Sequence, residues 1–168
     1  MKTLLSLLLL LLLSSCSTLP VPQSKTTLID PQGSWQVNGR LSAIVDNKAQ
    51  QSSFKLKFNG KDFDLTLTGV LGIGQMNLTS SASKLRVDGQ LTQLSLNQLM
   101  TQELGWYFPI EQLRYIIFEQ QLLGDSLWQL QSVKLAPGQS TKVTKIAKLK
   151  HLTKPIKIKL LFQEILSN

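Results

Sequence analysis

A period of two in the apolar residues runs through most of this chain and limits what it can become. Trp35, Val37, Gly39 and Leu41 share one parity. Phe54, Leu56 and Phe58 alternate with Ser53, Lys55 and Lys57, and Phe63, Leu65 and Leu67 alternate with Asp62, Asp64, Thr66 and Thr68. Met76 with Leu78, then Leu85 with Val87, continue the pattern, and Ile156, Ile158, Leu160 and Phe162 restore it against Lys157 and Lys159. Successive side chains of a strand point to opposite faces, so each run predicts a strand with one apolar and one polar face. Together they predict an antiparallel meander, with Asn59-Gly60 as a hairpin turn. Trp128 with Leu130, and Val143 with the poorer Lys145, are weaker runs beyond Gly124-Asp125, and Pro137-Gly138 and Lys154-Pro155 mark turns.

The pattern breaks near residue 92. Leu94, Leu96, Leu99, Met100 and Leu104 fit a short helix, with Ser95 as its cap and Gln98 answering it. Pro109 suits the first turn of a second helix carrying Ile110, Leu113, and Ile116 or Ile117 along one side. The result is a mainly β chain with short α segments, its helices laid on the apolar face of a sheet. Two short helices cover such a face only in part, which leaves room for a hydrophobic cavity; a fully packed core is the alternative.

The N-terminus reads as an export signal. Met1-Lys2-Thr3 is followed by Leu4 to Leu13, all leucine except Ser6, too short to span a bilayer. Leu13-Ser14-Ser15-Cys16 then resembles the lipobox of bacterial lipoproteins. That resemblance implies removal of residues 1–15 and covalent diacylglycerol and N-acyl lipid on Cys16, the sole cysteine, with no separate cofactor. Two or more chains anchor stably, each buried methylene contributing about 0.8 kcal/mol. Ser17, not Asp, follows the cysteine, which by the same resemblance implies the outer membrane. Residues 16–34, rich in Pro, Ser and Thr, read as the lipidated N-terminus and a flexible tether, and residues 35–168 as a single domain.

The formal net charge is +8, or +7 once Lys2 is removed, and the excess is concentrated late in the chain. Lys142, Lys145, Lys148, Lys150, Lys154, Lys157 and Lys159 suggest a basic rim for an acidic protein or anionic headgroups; a merely solvated strand face is the alternative. Catalysis finds little footing. His151 is the only histidine, so triads and multi-histidine metal sites are unavailable, and an i, i+2 pair such as Asp62 and Asp64 usually marks a solvated face. The lysines interleave with Ile and Leu instead of stacking aromatics, and the export signal adds to the case against nucleic acid. Gly69-Val70-Leu71-Gly72-Ile73-Gly74 places aliphatic side chains in a glycine-punctuated loop that faces water unless it meets something.

The set of motifs resembles one family. The lipobox, the Pro-rich tether, Trp35-x3-Gly39-Arg40-Leu41, Leu67-Thr68-Gly69-Val70-Leu71-Gly72, Leu104-Gly105-Trp106-Tyr107-Phe108-Pro109-Ile110-x2-Leu113-Arg114, and Trp128 opening a strand are similar in order and spacing to the LolB family of outer-membrane lipoprotein receptors. The resemblance implies an unclosed antiparallel β-barrel with two or three helices against a hydrophobic cavity. It implies a monomer, not an enzyme, that takes lipoproteins from a LolA-like periplasmic carrier and places them in outer-membrane phospholipid, from the periplasmic face. Leu71, with Val70 and Gly72, matches a protruding loop that touches the membrane. The candidate acyl-chain wall is Phe54, Leu56, Phe58, Phe63, Leu65, Leu67, Met76 and Leu78, with Leu99, Trp106, Leu113 and Ile117 from the lid; Met76 and Met100 lend adaptability. Where the family follows Leu-Arg with Trp and then Gly-x-Pro, this chain runs Tyr115 to Gln121, so the end of the second helix departs from the pattern.

Overall fold

The computed structural model describes residues 33–69, 74–124, 126–137 and 142–167. Cys16 and the rest of the segment up to residue 32 lie outside the described residues, as do Val70, Leu71 and Gly72. Nine strands form one antiparallel sheet: β1 (Ser34–Val45), β2 (Lys48–Asn59), β3 (Asp62–Thr68), β4 (Gln75–Ser81), β5 (Lys84–Val87), β6 (Gln90–Leu91), β7 (Trp128–Leu135), β8 (Thr144–His151) and β9 (Ile156–Ser167). The order across the sheet is β6-β5-β4-β3-β2-β1-β9-β8-β7, so among the described residues β6 and β7 are unpaired edges and the barrel is unclosed. The sequence predicts this fold class, and the structure has it.

Tight turns set the register of the meander. Val45 pairs with Lys48, Asn59 with Asp62, Ser81 with Lys84, and Val87 with Gln90, each across a two-residue loop. Three of these loops place both residues at positive φ: Asp46 and Asn47 (48° and 64°), Ala82 and Ser83 (48° and 63°), Asp88 and Gly89 (49° and 82°). That geometry matches the twist of the flanking strands, and the Ala82-Ser83 turn adopts it without a favourable residue.

With the register fixed, parity decides the core. Phe54, Leu56 and Phe58 of β2 pair with Leu67, Leu65 and Phe63 of β3, and all six are buried. Ile156, Ile158, Leu160 and Phe162 of β9 face the same interior, as do Ala147 and Leu149 of β8. Trp35 is fully buried, stacked on Phe58 with ring centroids 5.3 Å apart. Among the described residues, Gly39 is the one strand position where a side chain would collide with the backbone of a neighbouring strand. A Cβ there would lie 2.5 Å from the Leu161 carbonyl oxygen and 2.5 Å from the Phe54 ring. The register between β1 and β9 also shifts at Asn38 and Gly39, which bends the sheet there.

The first helix, α1 (Leu96–Leu104), is capped as expected. The Ser95 hydroxyl accepts from the Gln98 amide (3.2 Å), the Gln98 side chain accepts from the Ser95 amide (2.8 Å), and Gly105 ends the helix at φ 80°. Its Leu99, Met100 and Leu104 are buried. The second helix differs from the expectation. Pro109 opens a turn whose carbonyl accepts from Gln112, and α2 begins only at Gln112, running to Arg114 before widening into a π-helical turn at Tyr115–Glu119. The widening falls in the stretch where the sequence leaves the family pattern. The buried Thr144 hydroxyl donates to the Ile116 carbonyl at 2.5 Å, tying that turn to β8. Ile110, Leu113, Ile116 and Ile117 are all buried, so the apolar side of the expected helix survives its change of geometry.

Candidate functional site

The strands and the α1–α2 segment enclose an interior with an all-apolar lining. All twelve residues expected to form the acyl-chain wall belong to one buried cluster. Phe54, Leu65, Leu67, Trp106 and Leu113 of that set border a void of about 50 Å³. Leu56, Phe58, Phe63, Met76, Leu78, Leu99 and Ile117 are packed in the cluster away from the void. Its remaining lining, Leu41, Met100, Phe108, Ile110, Ile158 and Leu160, includes residues the sequence placed on strand faces without assigning them to the wall. The parity of β9, continued across to Leu41 of β1, was the signal that could have found Leu41, Ile158 and Leu160.

A second void of about 30 Å³ shares Leu41, Leu67, Met100 and Trp106 with the first and reaches Gln50 and Ser52 at the far end of β2. The two form a narrow slot leading from the interior to the end of the sheet. Ligand pockets for molecules of drug size run to roughly 300–1,000 Å³. As the side chains stand, this slot holds no long hydrocarbon chain, so any such occupant requires the roof to move.

The roof is fastened by few polar bonds. The Gln50 amide nitrogen donates to the Leu104 carbonyl (3.3 Å), and its oxygen accepts from the Trp106 indole (3.1 Å). One side chain of β2 thus holds both the C-terminus of α1 and the residue beyond Gly105. The Trp128 indole donates to the Tyr107 carbonyl (3.1 Å), and the Trp128 ring meets Trp106 and Phe108 edge-on. Sequence reasoning missed Gln50: a glutamine on a strand signals nothing until its partners are known. Beside α1, an open groove of about 660 Å³ runs along β5 and β6 with Phe63 and Tyr107 among its walls. Burial, then the charge of Glu111, pushes the Tyr107 phenol up to about 12, so it stays neutral at physiological pH.

The lysine block is split by the fold. Lys148 and Lys150 of β8 lie directly opposite Lys159 and Lys157 of β9 on the face turned away from the interior. Lys154 sits in the β8–β9 turn, Lys142 precedes β8, and half-buried Lys145 lies on the opposite parity of that strand. His151 holds the same turn, its Nδ1 accepting from the amides of Thr153 and Lys154 (both 3.2 Å). Burial and then the Lys154 charge lower its pKa, which keeps that acceptor available. Asp62 accepts from the Ala82 amide (3.2 Å) and so braces the β4–β5 turn, while Asp64 is exposed opposite Lys57.

Fold and site define a class: small open β-barrels whose apolar interior is roofed by a short helical lid. Within that class the chain belongs to the outer membrane lipoprotein LolB family, whose model matches residues 33–161. The outer-membrane lipoprotein LolB of Francisella tularensis subsp. tularensis is 34% identical over 127 residues, covering 68% of this chain and 61% of its own length. That of a Marinomonas species is 30% identical over 116 residues (63% and 58%), and that of Shewanella sediminis 28% over 109 residues (61% and 50%). The chain therefore spans about 61% of the length of the Francisella relative.

Proposed function

We propose that this protein is a lipid-anchored receptor on the periplasmic face of the outer membrane, acting as a monomer and without covalent chemistry. It accepts lipoproteins from a LolA-like periplasmic carrier and places them in the inner leaflet. The supporting observation is the apolar interior under a roof held by Gln50 and Trp128. Lipoprotein acyl chains exposed to water would cost about 0.8 kcal/mol per methylene, so the task is transfer between apolar shelters. Lifting the segment from Leu104 to Phe108 replaces three polar bonds with bonds to water and opens the slot to Phe54, Leu65 and Leu160. Met76 and Met100 let the opened wall adapt to different chains.

Cys16 carries the anchor, residues 17–34 the tether, and Leu71 the membrane contact. Inserting one leucine contributes roughly 1.5–3 kcal/mol, which suits a reversible probe better than an anchor. Incubating a water-soluble form lacking Cys16 with a cargo-loaded carrier tests the proposal: cargo should move to this protein, and cargo that stays on the carrier refutes it. The smallness of the voids favours a second reading, an envelope-assembly lipoprotein with a filled core and no cargo. Binding of a fluorescent fatty acid separates the two, since a filled core takes up none.

A further inference from the structure

The face of the sheet turned away from the lid carries a chemically opposite surface, set out in rows by cross-strand register. Thr68, Ser53, Arg40, Leu161 and Ile146 are successive neighbours across β3, β2, β1, β9 and β8. Gln51, Ser42, Lys159 and Lys148 form the next row, and Ile44, Lys157, Lys150 and Gln129 the row beyond. No position in these rows is a carboxylate. Among the described residues, none of the five cations has an acidic partner within ion-pairing distance. Like charges directly opposite one another on a sheet are destabilising, and here two such lysine pairs stand side by side with nothing to offset them.

Two further features tell what such a face would meet. An open hollow of about 450 Å³ lies on it, lined by Arg40, Lys159, Ser42, Ser53 and Thr68 among others. Two cations and the hydroxyl residues Ser42, Ser52, Ser53 and Thr68 around one space match a tetrahedral phosphodiester, which accepts charge-assisted and neutral hydrogen bonds together. At the ends of the same strands, three aliphatic side chains stand in water: Ile44 is 45% exposed, Leu127 61% and Leu152 57%. Leu127 and Leu152 are joined by a backbone bond of 2.8 Å just beyond the last pair of β7 and β8. Lysines bordered by exposed aliphatic groups suit the boundary between headgroups and acyl chains better than the surface of a soluble acidic protein.

We propose that this outer face lies against the bilayer and that the hollow between Arg40 and Lys159 takes the phosphodiester of an anionic phospholipid. The inference rests on the membrane anchoring proposed above but not on the handover of cargo. It fixes the orientation of the barrel: the basic back of the sheet on the membrane, the lidded interior turned toward the periplasm.

The test uses the full chain, produced with its lipid and reconstituted in vesicles, with Leu152→Cys carrying an environment-sensitive fluorophore; the acylated Cys16 leaves the new thiol as the one to label. In vesicles containing phosphatidylglycerol, a spin-labelled lipid should quench the probe, and quenching should be lost in phosphatidylcholine alone or at high salt. Each of Lys148, Lys150, Lys157 and Lys159 changed to Gln should lower the population in contact by about fivefold. Arg40→Gln with Lys159→Gln should act likewise, while Lys84→Gln on another part of the sheet should not. Lys150 is half-buried and the other positions are exposed, and unchanged circular dichroism confirms the fold. Equal quenching with and without the anionic lipid overturns the proposal. So does shielding of the probe only by added carrier, which assigns the face to a protein, or a shift produced by inorganic phosphate without vesicles. No carrier or cargo enters the assay, so its failure leaves the handover intact, and a failed handover leaves this face intact.

Discussion

Replacing Gln50 by leucine removes both polar ties between β2 and the lid. The Leu104 carbonyl and the Trp106 indole each lose their partner, at 3.3 and 3.1 Å, in a partly buried region. A net protein hydrogen bond contributes about 0.5–1.5 kcal/mol, so the closed lid loses roughly 1–3 kcal/mol. When the lid is lifted, both groups bond to water and the loss disappears. The closed-to-open equilibrium therefore shifts by roughly 5- to 150-fold at about 1.4 kcal/mol per tenfold. If opening limits entry, uptake of a fluorescent fatty acid in stopped flow should accelerate by that factor. Amide exchange should rise over Leu104–Tyr107 and stay unchanged in β2 and β3. Thr144→Val is the comparison: it removes the buried bond to Ile116 at the π-helical turn and should lower global stability by about 1–3 kcal/mol without that acceleration. An unchanged uptake rate in Gln50→Leu, with faster exchange over the lid, would show that the roof does not gate the interior.

Gly39→Ala drives a Cβ to 2.5 Å from both a backbone oxygen and the Phe54 ring, so the denaturation midpoint should fall by the equivalent of about 1–3 kcal/mol at unchanged m value. Ala82→Gly relieves a φ of 48° in the β4–β5 turn and should raise stability by about 0.5 kcal/mol, after the added freedom of the unfolded chain is subtracted. Leu71→Glu should still accept lipoprotein from the carrier but fail to deliver it to vesicles; normal delivery removes Leu71 from the mechanism.

The strand faces were legible because parity is a local property: once Phe54, Leu56 and Phe58 alternate, only a strand buries all three. The cap of α1 was legible for the same reason, since Ser95 and Gln98 satisfy each other within one turn. What was hidden depends on partners distant in the chain. Gln50 becomes a lid tie only when β2 passes beneath a segment more than fifty residues later. The lysines read as one block along the chain, yet strand pairing puts four of them on one face and leaves Lys142, Lys145 and Lys154 elsewhere. Ala82-Ser83 gives no turn signal, because the ladder between β4 and β5 imposes its conformation. The π-helical turn escaped because the apolar spacing of Leu113, Ile116 and Ile117 fits an ordinary helix equally well. The size of the void was beyond reach for another reason: pattern names the residues around a space, but only packing sets its volume.

Photolabelling with a fatty acid that carries a diazirine near its methyl end asks most directly whether this interior shelters hydrocarbon. The account predicts adducts on wall residues such as Leu65, Met100 and Leu160, with labelling increased in Gln50→Leu. Adducts confined to the outer face, or none in either protein, would contradict it.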